Sequence, residues 1–178
     1  MTETAPVYQS IDAAPSQCVP FHMLSSRQRE VLQYTSDGLT TSQIAKLMIV
    51  SVDTAKRHKR NIAHIGINGA SSVQLPNEYD DQTYLTVLAL IQDGILNGYL
   101  THDLPEKPVK PLTDREHEVV ELVAQGKSDG EIAQQLYIET GSVKSHLNNI
   151  RKKLHAKNKL HAVARSTYLT TYNLWPTA

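Results

Sequence analysis

The chain has 178 residues, a length that suits one or two small domains. Its 40% apolar content can fill compact helical cores, while the single cysteine, Cys18, excludes an intrachain disulfide and a cysteine-based zinc site and suits a reducing cytosol. Formal net charge is zero, which as a bare sum argues against a polyanion-binding protein.

Residues 1–22 read as a flexible N-terminal tail, because Pro6, Pro15 and Pro20 break any periodicity and no apolar face forms. A first unit is expected over 23–100. Ser25 with Gln28 is a capping-box pattern, in which each side chain satisfies a backbone N–H of the first turn. The helix it opens should run to about Ser36 and stop at Gly38. Thr40 with Gln43 repeats the box before a short helix at about 41–48. A third helix should begin near Val52 and end near Ile65, with Gly66 as its stop. Residues 67–80 form a turn-rich insertion. Tyr84, Leu88, Ile91 and Ile95 then make a helical stripe over 82–97, readable as the unit's own core or as a helix–helix interface.

Residues 101–111 carry Pro105, Pro108 and Pro111 and read as a semi-stiff linker. The second unit, 112–178, has capping boxes at Thr113/Glu116 and Ser128/Glu131, with helices expected at about 114–125, 129–136, 141–154 and 159–173. The helix from 141 should bury Val143, Leu147, Ile150 and Leu154, leaving Lys144, Ser145, Asn148, Arg151 and Lys152 on its other face.

The two units are copies. Residues 24–64 align without a gap to 112–152, and eleven pairs are identical: Leu24/Leu112, Arg27/Arg115, Glu30/Glu118, Val31/Val119, Gly38/Gly126, Ile44/Ile132, Ala45/Ala133, Lys56/Lys144, His58/His146, Asn61/Asn149 and Ile62/Ile150. Chance would give about two or three, so the chain is a tandem duplication. Charge is also unevenly placed. Residues 140–159 hold Lys144, Arg151, Lys152, Lys153, Lys157 and Lys159 with no acid, and 54–60 hold Lys56, Arg57, Lys59 and Arg60 with no acid. Residues 61–106 hold six acids and no Lys or Arg. Two basic helices are thus balanced by an acidic middle, and phosphate responds to the local patch.

Each unit resembles the LuxR/GerE-type helix-turn-helix domain. The second matches over 112–170, through Leu112-Thr113-Asp114-Arg115-Glu116, the Gly126 turn, Glu131-Ile132-Ala133 and the run from Ser142 to Ile150. The first matches over 24–64 and is divergent. Lys59 stands where the second has Leu147, Gly66 where it has Leu154, and 67–80 interrupt the route to the fourth helix. The resemblance implies an all-α fold: two tandem four-helix helix-turn-helix units joined by a Pro-containing linker. It also implies a bacterial, sequence-specific transcription regulator of double-stranded DNA, with recognition helices 52–65 and 141–154 in the major groove. The family's base-facing positions fall on Lys144, Ser145 and Asn148, and on Lys56, Arg57 and Arg60. Arg151, Lys152 and Lys157 lie further along and suit phosphate, as do the helix N-termini at Thr40 and Ser128.

Blander readings exist for several of these residues. Lys152, Lys153 and Lys159 can be a solvated face. His58 and His146 recur at matching positions, yet no second ligand has metal spacing, so they read as packing or phosphate-bonding side chains. No cofactor, metal site or catalytic constellation is expected, and the protein reads as a non-enzyme. A second functional reading keeps only the second unit on DNA and gives the first to a protein partner, such as RNA polymerase or another regulator. LuxR-type domains commonly pair through their fourth helices, so a homodimer or an internal pseudo-dimer is expected. The longest apolar run is Val87–Ile91, and no signal-peptide pattern opens the chain. The expected location is therefore cytoplasmic, at the nucleoid, with no membrane partner.

Overall fold

The computed structural model describes residues 21–68, 81–102 and 109–176. They form eight α-helices and no strand. The first unit contains α1 (Ser26–Ser36), α2 (Thr41–Met48), α3 (Val52–Asn68) and α4 (Asp81–Leu96). The second contains α5 (Asp114–Ala124), α6 (Asp129–Gln135), α7 (Thr140–Lys153) and α8 (Lys159–Thr171).

Local chemistry sets these boundaries. All four capping boxes form, with Ser25, Thr40, Thr113 and Ser128 each accepting from the N3 backbone while the N3 Gln or Glu closes back on the cap. Gly38 and Gly126 end the first helix of each unit at φ +76° and +79°, which glycine adopts without strain. One expected stop fails: α3 runs past Gly66 to Asn68. A glycine inside a helix costs only about 1 kcal/mol, and the αL conformation that would make it a stop is not adopted there. Most of the insertion, 69–80, and most of the linker, 103–108, lie outside the described residues, as does residues 1–20 of the tail. Phe21, assigned to the tail on sequence, is buried in the first core and stacked on Tyr99.

Each unit wraps its helices around one core, anchored by the duplicated positions. Val31, Ile44, Ala45 and Ile62 are buried in the first; Val119, Ile132, Ala133 and Ile150 are buried in the second. Leu147 departs from expectation. It is only half-buried against its core, whereas Val143, Ile150 and Leu154 are fully inside.

The fourth helices do two jobs at once. Val87, Leu90, Ile91 and Ile95 of α4 fill the first core, but Leu88 is buried in the second core with Tyr84 beside it. In return, Ala164 of α8 is buried in the first core, with Leu160 and Tyr168 against it. Helices α4 and α8 pack together, and α8 also packs on α1. The stripe on α4 is therefore both its own unit's core and an interface. Polar contacts lock the junction. Lys157 Nζ donates to the Asp37 carbonyl at 3.2 Å, Asn158 Nδ2 to the Gly38 carbonyl at 3.1 Å, and the Tyr172 hydroxyl to the Ile95 carbonyl at 3.2 Å.

Candidate nucleic-acid interface

Helix α7 shows how the fold sorts its side chains. Val143 and Ile150 face inward, so the 3.6-residue period turns Lys144, Ser145, Asn148, Arg151 and Lys152 outward, all exposed. The bracing helix α6 packs against α7, and Ser128 caps it at an exposed N-terminus. In the first unit α2 braces α3 in the same way, with Thr40 as an exposed cap. Lys56 and Arg57 of α3 are exposed and Arg60 is half-buried. Each unit thus collects its candidate residues on one recognition helix and one helix start. Lys144, Asn148 and Arg151 share with Leu147, Lys157 and Lys159 an open hollow on the outer face of α7.

The basic run of the second unit is not uniform. Lys153 Nζ pairs with Glu116 Oε2 at 2.6 Å, and Lys159 Nζ with Asp129 Oδ1 at 2.6 Å. Both lysines are therefore structural partners rather than a solvated face. Burial pushes the Glu116 carboxyl up, but hydrogen bonds from Lys153 and Thr113 outweigh it and hold the group below its usual range. Arg151 donates to the Lys157 carbonyl at 3.1 Å, and Ser145 Oγ donates to the Gly141 carbonyl at 3.1 Å. Lys144, Asn148 and Lys152 make no such bond among the described residues.

A buried cluster at the junction of the units escaped the sequence reading. His102 Nδ1 lies 3.3 Å from Asp37 Oδ1, with its side chain 2% exposed. Its ring stacks on His161 at 6.2 Å and meets Tyr168 edge-on at 5.6 Å. Burial, with the Arg165 cation nearby, pushes His161 down to about 3, so it is neutral and its Nδ1 accepts from the Lys157 backbone N–H at 3.1 Å. Burial also raises Asp37, but hydrogen bonds from His102 and Gln33 outweigh it and hold the carboxyl low. Gly38 is pressed against this cluster, and an added Cβ would meet His161 Nδ1 at 2.7 Å. His102 falls at the start of the Pro-rich segment, and no periodicity marks it as buried. Among the described residues, no cluster of His, Cys, Asp or Glu could hold a metal ion, and no helix is long and apolar enough to cross a membrane.

Capped four-helix units, each presenting one basic helix braced by another, define the helix-turn-helix class. The comparison with known families makes the assignment specific. Residues 22–68 and 110–166 match the family of bacterial regulatory proteins, luxR family, and the chain belongs to it. Similar proteins include the transcriptional regulatory protein DesR of Bacillus subtilis, 54% identical over 56 residues, which cover 32% of this chain and 28% of that protein. The transcriptional regulatory protein DegU of Brevibacillus brevis is 40% identical over 160 residues, covering 76% of this chain and 66% of DegU. A nitrate/nitrite response regulator protein homolog of Haemophilus influenzae is 29% identical over 136 residues, covering 72% and 64%. The chain thus spans less than two thirds of most of these relatives' lengths. No solved structure matches it significantly.

Proposed function

We propose that the protein is a sequence-specific double-stranded DNA-binding transcription regulator that works without catalysis, in the cytoplasm at the nucleoid. Helix α7 enters the major groove with Lys144, Ser145 and Asn148 towards base edges. Lys and Arg donate to guanine O6 and N7, and Asn pairs with adenine N6 and N7. Arg151, Lys152 and the start of α6 at Ser128 take phosphates. Helix α3 does the same for a second half-site with Lys56, Arg57 and Arg60, and Thr40 caps the matching helix start.

The observation that carries this reading is the exposed face of Lys144, Asn148 and Lys152, unbonded among the described residues, on a helix whose opposite face is locked by Val143 and Ile150. The α4–α8 packing supports an internal pseudo-dimer, because a fourth helix engaged inside the chain is not available to a second copy. The residues on α3 and α7 differ, so the preferred site is asymmetric. Selection of bound duplexes from random DNA, followed by gel shifts, tests the reading; absence of any enriched sequence contradicts it.

A second reading has one supporting observation. At the end of α2 and in the turn after it, Leu47 is 57% and Ile49 91% exposed; the second unit has Gln135 in place of Leu47, and Tyr137, in place of Ile49, is 95% exposed. Such a turn suits a protein partner, RNA polymerase or another regulator, with only the second unit on DNA. Loss of partner capture, but not of DNA binding, in Ile49→Asp would favour it.

A further inference from the structure

Lys59 occupies in α3 the place that Leu147 holds in α7. An apolar side chain would be the cheapest occupant there, yet the lysine is 8% exposed, more buried than the leucine it replaces. Its Nζ donates to Thr41 Oγ1 at 3.2 Å, and no carboxylate lies within ion-pair distance among the described residues. An ammonium carries three donors, and a buried one needs a counter-charge. Burial accordingly pushes its pKa below the ordinary lysine value.

The second unit shows the same place in neutralised form. Thr41 is the first residue of α2, and Asp129 is the first residue of α6 at the matching position. Lys159 Nζ sits 2.6 Å from Asp129 Oδ1. Each unit therefore brings one ammonium to the start of its bracing helix, from α8 in the second unit and from the recognition helix in the first. A carboxylate closes the pair in the second unit. In the first a hydroxyl stands instead, and no carboxylate among the described residues compensates the charge. The Thr41 partner is half-exposed, and its neighbours Thr40 and Ser42 are exposed, so the ammonium lies close beneath the surface at the start of α2. The first-turn N–H groups of Thr41 and Ser42 have no intrahelical acceptor and point the same way along the axis.

We propose that Lys59 is a phosphate-binding residue of the first unit: one DNA backbone phosphate docks on its ammonium and supplies the counter-charge that no described residue provides. This rests on the reading that the first unit binds DNA. It gives the divergent residue a use and makes the two half-sites unequal, because the second unit has already neutralised the equivalent cation with Asp129. Stability and affinity then move in opposite directions, which a structural lysine would not do. Removing the charge relieves the folded protein and weakens the complex. Adding a carboxylate at Thr41 does the same.

The test uses the full chain and its selected duplex. Lys59→Met should keep or raise Tm, weaken binding by about fivefold or more near physiological salt, and make the log–log salt slope shallower by about 0.9, the value of one phosphate contact. Thr41→Asp, which copies the second unit, should also raise Tm and weaken binding. In a scan of duplexes carrying one neutral methylphosphonate, a single position in the first half-site should weaken wild type and leave Lys59→Met unaffected. Wild-type affinity and slope in Lys59→Met would overturn the assignment alone, whatever happens to Tm. Loss of duplex binding by wild type itself would overturn the DNA reading and this assignment with it. A rise of Tm in inorganic phosphate over chloride at matched ionic strength, with no difference between the two proteins on DNA, would make this a free-anion site and equally overturn it.

Discussion

The Tyr172 hydroxyl donates to the Ile95 carbonyl across 3.2 Å, pinning the C-terminal end of α8 to that of α4. The bond sits on an exchange of side chains in which Leu88 of α4 completes the second core and Ala164 of α8 completes the first. Two copies of one motif in this way complete each other's cores.

That exchange makes a mutation in one unit felt in the other. Leu88→Ala removes a side chain 1% exposed and should destabilise by about 2–5 kcal/mol. Trp175 is the sole tryptophan and packs edge-on against His117 of α5, so its fluorescence reports on the second unit. The urea midpoint read at Trp175 should fall in Leu88→Ala. An unchanged midpoint would mean that α4 serves the first unit only.

Gly38 stands at φ +76° with His161 against the place of its missing Cβ. Gly38→Ala meets both the backbone penalty, about 1–3 kcal/mol, and the ring. Its loss of stability by denaturation should therefore exceed the backbone term alone, and the loss should shrink in a Gly38→Ala/His161→Ala double variant. Additive losses would show that the close approach is not felt.

On DNA, Lys144→Ala and Asn148→Ala should each cost about 1–3 kcal/mol at the selected site and relax preference at one or two base pairs. Lys152→Ala should weaken all duplexes alike and flatten the salt slope. Gel shifts on specific and scrambled DNA across salt concentrations separate the two behaviours. If Lys144→Ala binds as wild type does, the wrong face of α7 has been assigned to the groove.

The local level of this fold was readable in the residues themselves. Capping boxes, αL glycines and the buried positions shared by the two copies are short-range signals, and all four boxes and most helix limits follow from them. Long-range relationships were not readable. Nothing in the α4 stripe says that Leu88 leaves its own unit's core, and nothing near His102 says that it is buried against Asp37. Gly66 failed as a stop because a glycine ends a helix only where the chain turns left-handed. Lys153 and Lys159 looked like a free basic face because their partners, Glu116 and Asp129, lie 37 and 30 residues away. For the candidate recognition surface, the helices and most of their outward residues were legible, Arg60 being half-buried, and the fold adds which cations are already paired.

Stability should be sensitive to acid. The folded protein holds His161 near 3, against an ordinary value of 6.5. As pH falls below 6.5 the unfolded chain takes the proton first, so stability is intact above that value and declines down to about pH 3. The slope from this one group is at most about 1.4 kcal/mol per pH unit. Asp37 and Glu116, both held low, add losses of the same sign in the carboxylate range. Thermal unfolding from pH 8 to 4 should show a plateau and then a fall, and His161→Gln should flatten the upper part of that fall. An equal slope in the variant would assign the acid sensitivity to other groups.

The central proposal is that one chain carries two recognition helices as an internal pair. The mass of the protein–DNA complex on the selected duplex, measured by light scattering alongside a footprint, tests this most directly. One chain per duplex, protecting about 20 base pairs with two unlike half-sites roughly one helical turn apart, is the expected result. Two chains on inverted copies of a single half-site would contradict it.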